Sequence, residues 1–272
     1  MQKYIVCALS ILALCVNNSS AQPDFKTAKG LKLGISEPAL IEQYLSPVAG
    51  IGSNVRDLLE HKTLKSCLMP VREAGPGADE MAYILAAALE FYVNLNRNYK
   101  DNLSPDYISL NLNVAGKQAS AAESLTFLAQ TGTVSAAIMP YGANTISGAV
   151  FSTKKYKIAN YLHLFRELTK ESQRVFETKK ALMRGHPVIV ECNADDSLSK
   201  LRNARFWSPA SSTTAQRRHT FLVVGFDENL EAFELMGCMG TDWASGGYVW
   251  IKYTDFGKLA TNGFVLIPDG FN

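Results

Sequence analysis

From Met81 to Leu95 the chain is apolar at almost every position, with Glu90 the only charge before Arg97. Apolar residues therefore cover the whole circumference of a helix here, and such a helix belongs inside a domain. Gly75, Pro76 and Gly77 are turn chemistry, and Ala78-Asp79-Glu80 supplies a cap with two carboxylates suited to the positive end of the helix dipole. The pattern predicts a central buried helix from about Asp79 to Asn98. Residues 22–69 hold only short apolar pieces without strong periodicity, and read as a leader into this helix. Beyond it, 116–124 is a small-residue loop, and Leu125 to Ala129 is apolar at helical spacing. Tyr161 to Arg184 carries a helical pattern closed by Gly185 as a C-cap and stopped by His186-Pro187. Val188 to Cys192 is a β-branched run, hence a buried strand, and Ala232 to Met236 is another. Asp195 to Arg218 is a long polar loop with one aromatic pair, Phe206-Trp207.

The first residues follow a different pattern. Lys3 is a short positive start, Ile5 to Val16 an apolar run, and Ser19-Ser20-Ala21 presents small residues, which together read as an export signal cut after Ala21. The run is too short for a spanning helix, which needs about 20 apolar residues. Lipidation at Cys15 is the weaker reading, because Leu14 is bulky where a small residue usually precedes a lipidated cysteine. The expected location is therefore periplasmic or extracellular.

At 272 residues the chain is long enough for a full core, and with 27 Lys plus Arg against 25 Asp plus Glu it is near neutral. That balance implies no polyanion partner, and no zinc spacing, phosphate loop or nucleic-acid signature is present, so no cofactor or metal is expected. Export permits disulfides, but only Cys67, Cys192 and Cys238 follow the signal, so at least one thiol stays unpaired within the chain, and the spacing has no framework signature. His186, before a proline at a strand entrance, has no partner at ligand spacing and reads as structural.

The segment around the central helix resembles the active-site segment of the papain-like cysteine peptidases, Pro-Val-Arg-Asn-Gln-Gly followed by Gly-Ser-Cys-Trp-Ala-Phe. Pro70, Val71, Arg72, Gly75, Ala82 and the aromatic Tyr83 agree. Further matches follow in unbroken order to about Ile267. Leu103-Ser104-Pro105 resembles the family's LSPQ helix start, and Met139-Pro140-Tyr141 a Met-Pro-Tyr exit. The unit around Ala181-Leu182, Gly185 and Pro187-Val188-Ile189-Val190 is typical of the second domain. His219 to Asp227 is similar to the strand carrying the catalytic histidine, and Gly246 to Tyr253 to the last barrel strands. The resemblance implies an α+β papain-like two-domain fold. A crossing segment at 22–69 would lead into a helical domain at 70–150. An antiparallel β-barrel-like domain would follow at 151–272, with a cleft between the two.

The chemistry departs from the family. On this alignment Glu80 stands where the nucleophilic cysteine belongs, Ala74 at the oxyanion glutamine, and Gly237 at the asparagine that orients the histidine; only His219 is retained. Ala121-Ala122 replace a Gly-Gly pair whose bare backbone meets the substrate, and a methyl group there pushes a peptide backbone away. Arg217 and Arg218 replace the small residues before the histidine, at the expected cleft wall. Trp243 is kept, while Met239 replaces the tryptophan that covers the asparagine. A cysteine peptidase needs a thiolate, an imidazole, an orienting amide and oxyanion donors together. Proteolysis is therefore expected to be absent, and Glu80 is expected to face His219 as a structural ion pair.

The expected role is that of an exported, non-catalytic protein- or peptide-binding module, in a cell-envelope assembly, contacting its partner through Phe206, Trp207, Arg217 and Arg218 with Ala121, Ala122 and Trp243 along the cleft. Trp, Phe and Arg are the residues that anchor interfaces. Three rivals remain. One is an active peptidase or transferase with Cys238 as relocated nucleophile; another is a Glu80/His219 acid-base site; the third is a structural subunit with an occluded cleft. Nothing in the sequence fixes the oligomeric state.

Overall fold

The computed structural model describes residues 28–49, 51, 59–75, 78–113, 118–209 and 216–270. The export signal and Cys15 lie outside the described residues. After a short α1 (Pro38–Tyr44) and β1 (His61–Thr63) come three helices, α2 (Glu80–Arg97), α3 (Pro105–Leu112) and α4 (Ala121–Gln130). The remainder is β2 (Ile158–Phe165), α5 (Glu171–Met183), β3 (Val188–Asp195), β4 (Gln216–Asp227), β5 (Ala232–Met236), β6 (Tyr248–Lys252), α6 (Tyr253–Leu259) and β7 (Ala260–Pro268).

Helix α2 starts and stops where local chemistry dictates. Asp79 is the N-cap, its Oδ1 accepting from the backbone N–H of Met81 at 3.1 Å and of Ala82 at 3.4 Å. Asn98 ends the helix in the left-handed conformation, φ 47°, a C-cap role that asparagine tolerates better than most residues. Every residue from Met81 to Asn94 is buried, including Glu90. That carboxylate is answered by an ion pair with Arg72 and by the Leu103 N–H at 2.8 Å. Burial pushes it up to about 7 even though Arg72 pulls the other way. Arg72, a landmark of the sequence resemblance, thus holds the entering chain to the middle of the central helix.

The seven strands form one sheet in the order β2-β7-β3-β4-β5-β6, with β1 added to β4, and every pairing is antiparallel. The long β4 organises it: residues 216–223 pair with β3, 225–227 with β1, and 222–227 with β5. Helix α2 packs against β4, β3 and β7, and one continuous apolar core joins it to the sheet through Leu85, Leu89, Phe91, Val190 and Phe221. The fold is α+β, as the resemblance implied, but the sheet is open; β2 and β6 are its two ends and the barrel does not close.

Other expectations need correcting. Tyr161 belongs to strand β2 rather than to a helix, because residues 158–165 are buried on both faces and pair with β7; only Glu171–Met183 is helical. The expected loop at 116–124 ends early. Ser120 caps α4 with Glu123 reaching back to its N–H, a reciprocal capping box that makes Ala121 and Ala122 the first helical residues. The polar loop after Asp195 is likewise shorter, since Gln216, Arg217 and Arg218 already belong to β4. Cys67, Cys192 and Cys238 form no disulfide with one another. His186 is structural as expected: it is buried, with Nδ1 2.8 Å from the Tyr92 hydroxyl and Nε2 donating to the Ser46 carbonyl at 2.7 Å, and burial drives it down to about 4.

Candidate functional site

The site forms where the N-terminus of α2 meets the middle of β4. Capping by Asp79 fixes the first turn of α2 and sets Glu80 beside the sheet. Glu80 Oε1 lies 3.0 Å from His219 Nδ1, and Oε2 accepts from the Thr220 N–H at 2.9 Å. A carboxylate only accepts, so Nδ1 carries the proton, and the two-pronged contact ties helix to strand. The imidazole is 2% exposed, and its Nε2 is buried without a hydrogen-bond partner. Glu80 and His219 therefore meet across the junction of helix and strand.

Gly237 leaves little room for a larger side chain. A Cβ built there would lie 2.9 Å from Trp243 Cζ3 and 3.2 Å from Met239 Cε. The buried Trp243 ring stacks on Phe221, centroids 5.9 Å apart, and donates its indole N–H to the Leu198 carbonyl at 2.7 Å. The room a side chain at 237 would need is thus held by a ring anchored on two sides. Ala74 is half-buried, its N–H bonded to the Cys238 carbonyl at 2.7 Å, and its methyl offers no hydrogen-bond donor.

Two thiols lie near the Glu80–His219 pair. Cys192 pairs opposite His219 in the β3–β4 ladder, and Cys238 follows β5. Both are buried, and burial holds both thiols far above their ordinary range, with the Glu80 and Asp79 carboxylates adding to the effect at Cys238. Asp79 is itself raised, by burial first, and its Oδ2 has no partner.

The expected contact residues divide. Trp207 is a correction: it is 4% exposed, with its indole N–H donated to Ser197 Oγ at 2.9 Å, so its ring is core and cannot meet a partner. Trp243 is wholly buried for the reasons above. Phe206 is exposed and lies 6.5 Å from the Trp250 ring, with the Arg205 guanidinium over both rings. Arg217 and Arg218 are exposed on β4, Arg218 approaching Glu191 at 3.7 Å. Ala122 is exposed and Ala121 half-buried at the start of α4. Sequence reading missed the roles of Thr220, Arg205 and Trp250; only strand register reveals the first, and only the bridges tying Ala204 to Trp207 onto 244–250 reveal the others. Among the described residues no three His, Cys, Asp or Glu side chains gather as metal ligands, and no helix is long and apolar enough to cross a membrane.

Solved structures that superpose on this chain include papain-like cysteine proteases. Xylellain, a cysteine protease from Xylella fastidiosa, superposes with a TM-score of 0.61 at 18% identity over 86% of this chain and 95% of that one. Digestive procathepsin L 3 of Tenebrio molitor gives 0.61 at 18% identity over 89% and 85%, and procathepsin B from Trypanosoma congolense 0.63 at 14% over 91% and 89%. The chain has the papain-like fold. No family model matches the sequence, and no curated protein is similar to it at a significant level.

Proposed function

We propose that this protein is a non-catalytic member of the papain-like fold, exported, and acting as a protein- or peptide-binding module of the cell envelope. The observation that carries the reading is Glu80 bridging His219 Nδ1 and the Thr220 N–H. A carboxylate in that seat occupies the imidazole nitrogen that a thiolate would pair with, while Gly237 and Ala74 provide neither orienting amide nor oxyanion donor. Loss of a nucleophile alone costs about a million-fold in turnover. The rival with Cys238 as nucleophile is disfavoured by that thiol's burial and raised ionisation. The contact surface we assign is Phe206 with Arg205 and Trp250, which offers aromatic and guanidinium groups at the surface.

The test has two parts. Purified protein incubated with a mixed fluorogenic peptide library under reducing conditions is expected to cleave nothing; turnover abolished by a thiol alkylator would overturn the non-catalytic reading. Binding to an immobilised peptide library is expected to be retained by the wild type and weakened by Phe206→Ala, and equal binding by the two proteins would remove this surface from the proposal.

A further inference from the structure

The end of α2 remote from Glu80 carries a second feature. Val93, Asn96 and Arg97 from the last turns of the helix line a pocket of about 480 Å³ closed by residues 154–157 and by Lys29 and Asp269. With a rise of 1.5 Å per residue, Arg97 lies roughly 25 Å along the axis from Glu80. The lining holds five cations, Lys29, Arg97, Lys154, Lys155 and Lys157, against the single carboxylate of Asp269, which Lys29 Nζ pairs with at 2.8 Å. In a chain whose charges nearly cancel, this is a local concentration of one sign, and a concave site lined by one sign focuses field on its contents.

The wall bearing three of these lysines is built rather than draped. Tyr156 and Thr133 exchange both backbone hydrogen bonds at 2.8 Å, and Lys157 Nζ donates to the Gln130 carbonyl at 2.5 Å. Gly132, at φ 82°, lets the segment close: a Cβ there would stand 2.3 Å from the Tyr156 carbonyl oxygen. Tyr156 then fixes the cations around it, accepting from Arg97 Nη1 at 2.8 Å while the guanidinium lies 4.9 Å over its ring and Lys154 Nζ 5.8 Å. Lys154 is exposed, its ammonium engaged among the described residues only by the Tyr156 ring. Lys155 donates to the Val150 carbonyl, and its ammonium is held below its ordinary value by burial and by the charge of Lys157, a repulsion that a bound anion relieves.

We infer that this pocket binds a compact, multiply charged phosphoryl anion, free or as a lipid headgroup. Four excess positive charges within one small cavity call for an anion carrying several charges close together, which adjacent phosphoryl groups provide, and both guanidinium and ammonium groups bind phosphate oxygens well.

Titration calorimetry of the full protein with sodium tripolyphosphate tests this. Saturable binding is expected, at least about tenfold weaker in Lys154→Glu and in Lys29→Ala, and weaker as salt is raised from about 50 to about 200 mM. Both positions are exposed, so matched thermal melting of each variant with the wild type checks that the fold is intact. Flotation with phosphatidylglycerol vesicles against phosphatidylcholine vesicles identifies the source: association with the former alone, lost in Lys154→Glu, assigns a lipid headgroup, and tripolyphosphate binding without flotation assigns a soluble anion. No binding of either probe, equal binding by both variants and the wild type, or citrate binding as tightly as tripolyphosphate, overturns the inference.

Discussion

Glu80 and His219 are joined across the boundary between the central helix and the sheet, Oε1 to Nδ1 at 3.0 Å, while the other carboxylate oxygen takes the N–H of the very next residue, Thr220. One side chain therefore satisfies a side chain and a backbone group on β4, and it sits in the first turn of α2, where a negative charge gains from the helix dipole.

Removing that acceptor strands two buried donors at once. Glu80→Ala is expected to cost about 2–4 kcal/mol, with Glu80→Gln in between, because an unpaired buried donor pays its full desolvation penalty. A urea titration measures it, and an unchanged midpoint would show that the bridge contributes nothing.

Placing sulfur in the same seat separates nucleophile from machinery. In Glu80→Cys the new thiol, at a helix N-terminus and beside an imidazole, is expected to alkylate with iodoacetamide faster near pH 6 than Cys67 does. Peptide hydrolysis should stay at least about a hundred-fold below a competent site, since an oxyanion donor alone is worth that much. Slow alkylation at position 80 would mean that the two side chains do not face each other in solution.

His186 makes stability depend on pH. Its folded value is about 4 against an ordinary 6.5, so the unfolded chain binds the proton more readily. The neutral ring's stabilisation is whole above about 6.5 and is lost as pH falls toward 4, by up to about 3 kcal/mol. Glu90 runs the opposite way: raised to about 7, it favours the folded state increasingly as pH drops below that value. The stability difference between wild type and His186→Asn isolates the histidine, and should shrink between pH 6.5 and 4.

Adjacent aromatics give opposite results on truncation. Trp207→Ala empties a buried, hydrogen-bonded site and is expected to cost about 3–5 kcal/mol, whereas Phe206→Ala, at 39% exposure, should change stability by less than about 1 kcal/mol. Thermal melting of both variants distinguishes core from surface.

The central helix was legible because its signals are local: turn residues, a capping aspartate and an all-round apolar run predicted it from about Asp79 to Asn98, and it spans Glu80–Arg97 with those two residues as its caps. The Glu80–His219 contact was reached only through the resemblance, since 139 residues separate the partners. What escaped depends on partners distant in the chain. Tyr161 reads helically until β7 pairs with it, and Phe206-Trp207 reads as one exposed aromatic pair until Ser197 claims the second ring. An open sheet and a closed barrel share the same alternation of residues, so closure was not readable from any strand alone.

The tryptophan packed against Gly237 leaves little room for any larger side chain there. An asparagine at 237 must displace an indole held by Phe221 and the Leu198 carbonyl. A lone hydrogen atom at 237 is thus what lets the end of β5, the middle of β4 and the turn after β3 all close on the same ring.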